Sequence, residues 1–181
     1  IDIKMKNLVK YPTKNKFKVR MRDLSIKNKK LLSQFNVSVK RVLEHGIFIL
    51  GEEVKKFEKK IAKYIGVNYC IGTCSASSGL YLAFKCLNLP KGSEIITTPM
   101  SWLVSSTSFS MLGLKPIFID VDENYNLDPD EIEKKITKKT KAILAVHFYG
   151  KVAQMDKIKK IAKKNKILLI EDVAQAFGTV Y

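Results

Sequence analysis

Three short stretches of this sequence combine residue types that could handle a ligand. The first, Thr73-Cys74-Ser75-Ala76-Ser77-Ser78-Gly79, is made of small and hydroxyl-bearing residues. Small side chains let a backbone come close to a ligand, and a helix starting here would add unpaired N–H groups and a positive dipole end. The stretch suits a phosphate cradle, and it suits an ordinary serine-capped helix start equally well. It is not a P-loop, because the GxxxxGK[ST] pattern is missing. The second stretch, Thr98-Pro99-Met100-Ser101-Trp102, holds the sole tryptophan. An indole lying flat on a planar ligand contributes about 1 kcal/mol; as a plain core aromatic it needs no ligand. The third, Ile170-Glu171-Asp172-Val173-Ala174-Gln175-Ala176-Phe177-Gly178, puts carboxylates at the end of an apolar run. A carboxylate there is unfavourable unless paired. A cationic ring nitrogen would pair with it, whereas an Asp capping the following turn would need no ligand at all.

The surrounding pattern explains how such stretches would be positioned. Leu32, Phe35, Val39, Val42 and Leu43 recur at helical spacing within 31–44, with Gly46 as a C-terminal cap. The apolar stretch 47–50 ends at Gly51, and a second helix carries Val54, Phe57, Ile61, Tyr64 and Ile65 on one face, lysines on the other. From there strand and helix alternate. Strands are expected over 69–72, 94–98, 116–121, 142–148 and 167–170, and helices over 78–87, 103–112, 130–136 and 155–165. The strands are continuous apolar runs, which implies cover on both faces. The fold class is therefore α/β, a mostly parallel, doubly wound sheet flanked by helices. In such sheets ligands collect at the carboxyl ends of the strands, where all three stretches fall. Residues 1–28 lack periodicity and read as an irregular basic lead-in.

Composition narrows the function. The 181 residues, 46% of them hydrophobic, are enough for one domain with a core. No apolar run reaches the roughly 18 residues of a membrane span, and the basic N-terminus lacks the apolar segment of a secretory signal. The net charge of +16 is almost all lysine; the arginines are Arg20, Arg22 and Arg41. Nucleic-acid recognition favours arginine's fork and interleaved aromatics, neither of which is present, so the lysines read as solvated helix faces and nucleic acid is not expected as a partner. Cys70, Cys74 and Cys86 lack metal-site spacing and read as reduced thiols of a cytoplasmic protein, with no metal.

Taken in order, these segments resemble the DegT/StrS family of pyridoxal-phosphate (PLP)-dependent aminotransferases acting on nucleotide-linked keto sugars. The resemblance runs from about Leu31 to Gly178. It rests on Phe48-Ile49-Leu50-Gly51, Ser75-Ala76-Ser77, Ile95-Ile96-Thr97-Thr98-Pro99-Met100, Pro116-Ile117-Phe118-Ile119-Asp120-Val121-Asp122, Val146-His147-Phe148-Tyr149-Gly150 and Glu171-Asp172-Val173-Ala174-Gln175-Ala176. It implies a type I PLP-enzyme large domain over 29–181, with PLP as cofactor. Ala76 and Ser77 match the turn that holds the cofactor phosphate, and Trp102 the aromatic stacked on the pyridine ring. Asp172 matches the acid paired with the protonated ring nitrogen, and Gln175 the amide on the ring-hydroxyl side. His147 reads as structural. The partners implied are an amino donor such as glutamate, a dTDP- or UDP-linked keto sugar and a second subunit in a homodimer.

Some features depart from that pattern. The family's Schiff-base lysine follows the Asp-x-x-Gln motif in a serine- and proline-containing segment, and none of the thirty lysines here occupies that place. No catalytic residue is therefore assigned within this chain, and the large domain is expected to be incomplete, lacking the C-terminal small domain. Such a piece is expected to be inactive and poorly soluble by itself. Ala76-Ser77 stands where many members have Gly-Thr, and Phe177 where a histidine is common. Two alternatives fit the same segments: a sugar dehydratase of the same family, in which histidine replaces the lysine, and an inactive binding or regulatory module.

Overall fold

The computed structural model describes residues 25–181, so most of the expected lead-in over 1–28 lies outside the described residues. The chain divides into two compact units between Glu53 and Val54. In the first, helix α1 (Lys29–His45) begins where the Asn28 side chain accepts the Leu31 N–H at 3.1 Å. It ends at Gly46, whose left-handed φ of 69° lets its N–H reach Val42 O. The periodicity in the sequence is realised as a helix, yet Leu32, Phe35, Val39 and Leu43 all stay exposed.

The second unit holds the sheet. After α2 (Glu52–Ile65) and α3 (Ala76–Cys86), strand β1 (Glu94–Thr97) leads to α4 (Val104–Ser110), β2 (Lys115–Phe118), α5 (Pro129–Lys135) and β3 (Thr140–Val146). A single 3₁₀ turn at Phe148–Gly150, helix α6 (Met155–Asn165) and β4 (Leu168–Asp172) complete it. The strand order is β2-β1-β3-β4, and every pair is parallel. Starting from β1 the chain moves outward to β2, then returns to β3 on the other side of β1 and continues to β4. The direction of winding therefore reverses between β1 and β3, which opens a crevice at their carboxyl ends.

Alternation along the two central strands builds two cores. Ile95, Ala142, Leu144 and Val146 face Leu80 and Phe84 of α3 and Phe109 of α4. Ile96, Ile143 and Ala145 face Ile132 of α5 and Met155, Ile158 and Ala162 of α6. Each fully buried Ile or Leu contributes about 1.5–3 kcal/mol. This is the doubly wound α/β arrangement that the apolar runs implied.

Two expectations need correction. Cover on both faces holds for β1 and β3, but β2 and β4 are edge strands with Phe118 and Leu168 nearly half exposed. The strand expected at 69–72 does not form: Tyr69 is 86% and Ile71 80% exposed. Among the described residues no strand pairs with it, and an extended segment without a neighbour has no ladder bonds to make. The segment is anchored by the Gly72 N–H, which donates to Glu58 Oε1 at 2.7 Å.

Candidate active site

The carboxyl ends of the strands carry polar residues that the hydrophobic core alone does not require. Thr97, Thr98, Ser105 and His147 are all buried there. Thr97 Oγ1 donates across the sheet to Leu144 O at 3.1 Å, fixing β1 to β3 near the crevice. Thr98 Oγ1 accepts the Met100 N–H at 3.1 Å and turns the chain toward Trp102. That indole is 77% exposed, so the plain-core alternative for Trp102 is set aside by its position.

At the end of β4 the chain presents two adjacent carboxylates in different settings. Glu171 is engaged with protein: its Oε2 lies 3.0 Å from His147 Nε2, and the Tyr181 hydroxyl donates to it at 3.0–3.1 Å. His147 Nδ1 accepts the Ala153 N–H at 3.2 Å, which leaves the ring hydrogen on Nε2, donated to Glu171. The buried histidine is thus a structural link, as its place at a strand end suggested. Asp172 is half-buried and only partly used. Its Oδ1 accepts the Ala174 N–H at 3.0 Å and its Oδ2 the Ser105 hydroxyl at 3.3 Å. Ser101 Oγ lies 2.7 Å behind Ser105 Oγ. With Ser105 donating to Asp172, Ser101 donates to Ser105, so a hydroxyl relay orients the carboxylate. Among the described residues no basic side chain forms an ion pair with Asp172, although the chain is strongly cationic.

The first stretch forms the N-terminus of α3. Ser75 is the cap: its Oγ accepts the Ser78 N–H, and the Ser78 hydroxyl in turn accepts the Ser75 N–H, both at 3.2 Å. The serine-cap reading is therefore met, and the phosphate-cradle reading is still open alongside it, because the capping bonds use neither the Ala76 nor the Ser77 amide. Both residues are exposed, and their N–H groups have no protein acceptor among the described residues. The Ser78 and Ser75 hydroxyls also hold the Cys74 thiol below its ordinary range. Because α3 leads by a short turn into the amino end of β1, its N-terminus returns to the carboxyl side of the sheet. It packs against α4, the helix that carries Ser105.

Gln175 sits just past β4, and its Oε1 accepts the Tyr149 N–H at 3.2 Å. The structure thus ties Asp172 to the segment after Trp102 and Gln175 to the turn after β3. No hydrogen bond among the described residues links Ala76 or Ser77 to either. Ser105 and Tyr149 were not singled out from the sequence. Ser101 and Ser105 stand four apart after a strand end, a spacing that aligns two hydroxyls on a helix start, and this was the available signal. Phe177 stacks on Tyr64 of α2, ring centroids 5.7 Å apart, so an aromatic at that position has a packing role. No cluster of metal-ligating side chains occurs among the described residues, and no helix there is long and apolar enough to cross a membrane.

The sheet is an open parallel α/β sheet whose following segments carry helix amides without a protein acceptor, an exposed indole and a carboxylate without an ion-pair partner among the described residues. The chain belongs to the DegT/DnrJ/EryC1/StrS aminotransferase family, whose model matches residues 30–181. The family is one of PLP-dependent enzymes. The chain is 41% identical over 160 residues to dTDP-3-amino-3,6-dideoxy-alpha-D-galactopyranose transaminase of Aneurinibacillus thermoaerophilus, covering 88% of this chain and 44% of that one. It is 38% identical over 160 residues to UDP-2-acetamido-2-deoxy-3-oxo-D-glucuronate aminotransferase of Pseudomonas aeruginosa, covering 88% and 45%. Among solved structures, the E. coli GDP-4-keto-6-deoxy-D-mannose-3-dehydratase with bound hydrated PLP superposes with a TM-score of 0.77 at 31% identity, over 81% of this chain and 39% of that one. The chain therefore spans a little under half the length of the curated relatives it matches.

Proposed function

We propose that the whole protein is a PLP-dependent aminotransferase that moves an amino group from an amino-acid donor such as glutamate to the keto group of a dTDP- or UDP-linked sugar. It works in the cytoplasm as a homodimer. The observation that carries this reading is Asp172: a half-buried carboxylate, aimed by Ser105 and the Ala174 amide, with no cation paired to it among the described residues. A protonated ring nitrogen suits that place in charge and hydrogen-bonding capacity, and the free amides at the α3 N-terminus suit a phosphate. The residues present fit the cofactor.

When bound, PLP carries the amino group between substrates, its protonated ring drawing electron density from the reacting carbon. The chain's own residues supply binding and orientation. Ala76 and Ser77 would donate N–H groups to the phosphate. Trp102 would stack on the ring and exclude water from it. Asp172 would keep the ring nitrogen protonated, its negative charge held in place by the Ser101–Ser105 relay. Gln175 would address the ring hydroxyl.

The test is isotopic. Incubating the whole protein with PLP, ¹⁵N-glutamate and a nucleotide-linked keto sugar should yield 2-oxoglutarate and a ¹⁵N-amino sugar in equal amounts. Loss of a sugar hydroxyl with no nitrogen retained would assign the dehydratase reaction instead. No turnover of either kind, with no PLP bound, would leave a binding module.

A further inference from the structure

We propose that Asn126 is a positioning residue that fixes which end of the Gln175 amide faces the cofactor; the inference rests on the function proposed above. Asn126 lies in the loop between β2 and α5, far in sequence from every assigned site residue, yet it has no exposed surface at all. Its Oδ1 accepts the Phe148 N–H at 2.9 Å and its Nδ2 donates to Lys151 O at 3.2 Å. Both partners are backbone groups, one able only to donate and the other only to accept. The orientation of the Asn126 amide is therefore set by chemistry and not by choice of assignment.

These two bonds bracket the turn at 148–150. Within it Tyr149 takes a φ of 51°, a left-handed conformation that a bulky residue adopts only where its surroundings impose it. Asn126 supplies that imposition by clamping the residues on either side. The loop carrying Asn126 is braced in turn, with the Asp122 carboxylate accepting the Asn124 and Asn126 N–H groups at 2.9 and 3.1 Å. The consequence of the turn is that the Tyr149 N–H points outward and donates to Gln175 Oε1 at 3.2 Å. With its oxygen turned to the Tyr149 N–H, Gln175 has its NH₂, a donor, left to present to a bound ring. That polarity suits an oxygen acceptor such as a ring phenolate and would repel a ring donor. Asn126 thus acts on the site through two hydrogen-bonded links and touches no ligand itself.

The experiment is a double-mutant cycle on PLP affinity, read by visible absorbance in the whole protein, with Asn126→Ala, Gln175→Ala and both together. Asn126→Ala should weaken PLP binding roughly threefold to tenfold, the range a lost hydrogen bond of ordinary strength gives. In the Gln175→Ala background the same change should have almost no further effect, because its route to the cofactor is gone. Asn126→Asp, which keeps the Phe148 acceptor but loses the Lys151 donor, covers the case in which the alanine variant does not fold. Hydrogen exchange at the Tyr149 amide should speed up in both Asn126 variants without cofactor. Thr137→Val, which breaks a part-buried hydrogen bond to the buried Glu94 at the opposite end of the sheet, should leave PLP affinity unchanged and so exclude general destabilisation. Additive losses in the cycle, or unchanged Tyr149 exchange, would overturn the inference while leaving the aminotransferase reading intact. An unsubstituted protein that binds no PLP would instead remove that reading.

Discussion

The two ends of the sheet both bury polar residues, but they do so in opposite ways. At the amino end Glu94 is almost fully buried, and its Oε2 accepts the Thr137 hydroxyl at 2.5 Å. The Thr137 oxygen also accepts the Lys139 N–H at 3.0 Å, and Thr140 Oγ1 accepts the Thr137 N–H at 2.9 Å. That network closes on itself and ties the strand starts together. At the carboxyl end Asp172, Gln175 and the first amides of α3 keep bonding capacity after every intramolecular partner is counted among the described residues. Polar burial does not by itself mark a site. Capacity left over, beside a reversal of winding, is what distinguishes the end where the cofactor site is proposed.

The largest effect should come from Asp172→Asn. The amide is nearly isosteric: its Oδ1 can still accept the Ala174 N–H and its NH₂ can donate to the Ser105 hydroxyl oxygen, so the fold should persist, but it cannot hold a ring nitrogen protonated. The kcat for amino transfer should fall more than tenfold, over about 1.4 kcal/mol; a smaller loss would remove the role given to Asp172. Thr137→Val should do the reverse. It leaves the Glu94 carboxylate without its hydroxyl, so thermal or denaturant unfolding should show a loss of about 1–3 kcal/mol, with kcat per folded molecule unchanged. A fall in kcat would mean that the two ends are coupled, and the contrast would fail.

Much of this contrast was legible in the sequence, and the missing parts have physical causes. The alternation of apolar runs with helical segments matched every strand and α-helix from α3 to β4, and α6 to the residue, because periodicity reports burial directly, but it did not show the 3₁₀ turn at Phe148–Gly150. The strand expected at 69–72 failed because an apolar run says that a segment wants cover, not that a neighbour is available to bond it. Burial of Asn126 and the Ser105–Asp172 contact were not legible, since each joins residues that only the crossovers bring together. The five candidate site residues were visible as a set through the family resemblance; taken singly, each had an ordinary structural explanation. His147 was legible as structural, though its link to Glu171 was not.

Smaller effects sharpen the comparison further. Trp102→Ala should weaken PLP binding about fivefold, the equivalent of roughly 1 kcal/mol of stacking, and should leave the melting temperature almost unmoved because the indole is exposed. No change in affinity would place the indole outside the cofactor site. Ser105→Ala removes the long bond to one Asp172 oxygen and the acceptor of the Ser101 hydroxyl behind it, while the Ala174 amide still holds the other oxygen, so kcat should fall about twofold to threefold. A loss as large as that of Asp172→Asn would mean that the serine itself touches the reacting groups.

The most direct measurement is a PLP titration of the whole protein by visible absorbance, run side by side for the unsubstituted protein, Asp172→Asn and Thr137→Val. The unsubstituted protein and Thr137→Val should give superimposable binding curves and spectra, whereas Asp172→Asn should bind more weakly and with a shifted band. Identical curves for all three, or a loss confined to Thr137→Val, would contradict the claim that the unspent polar groups at the carboxyl end of this sheet are the cofactor site.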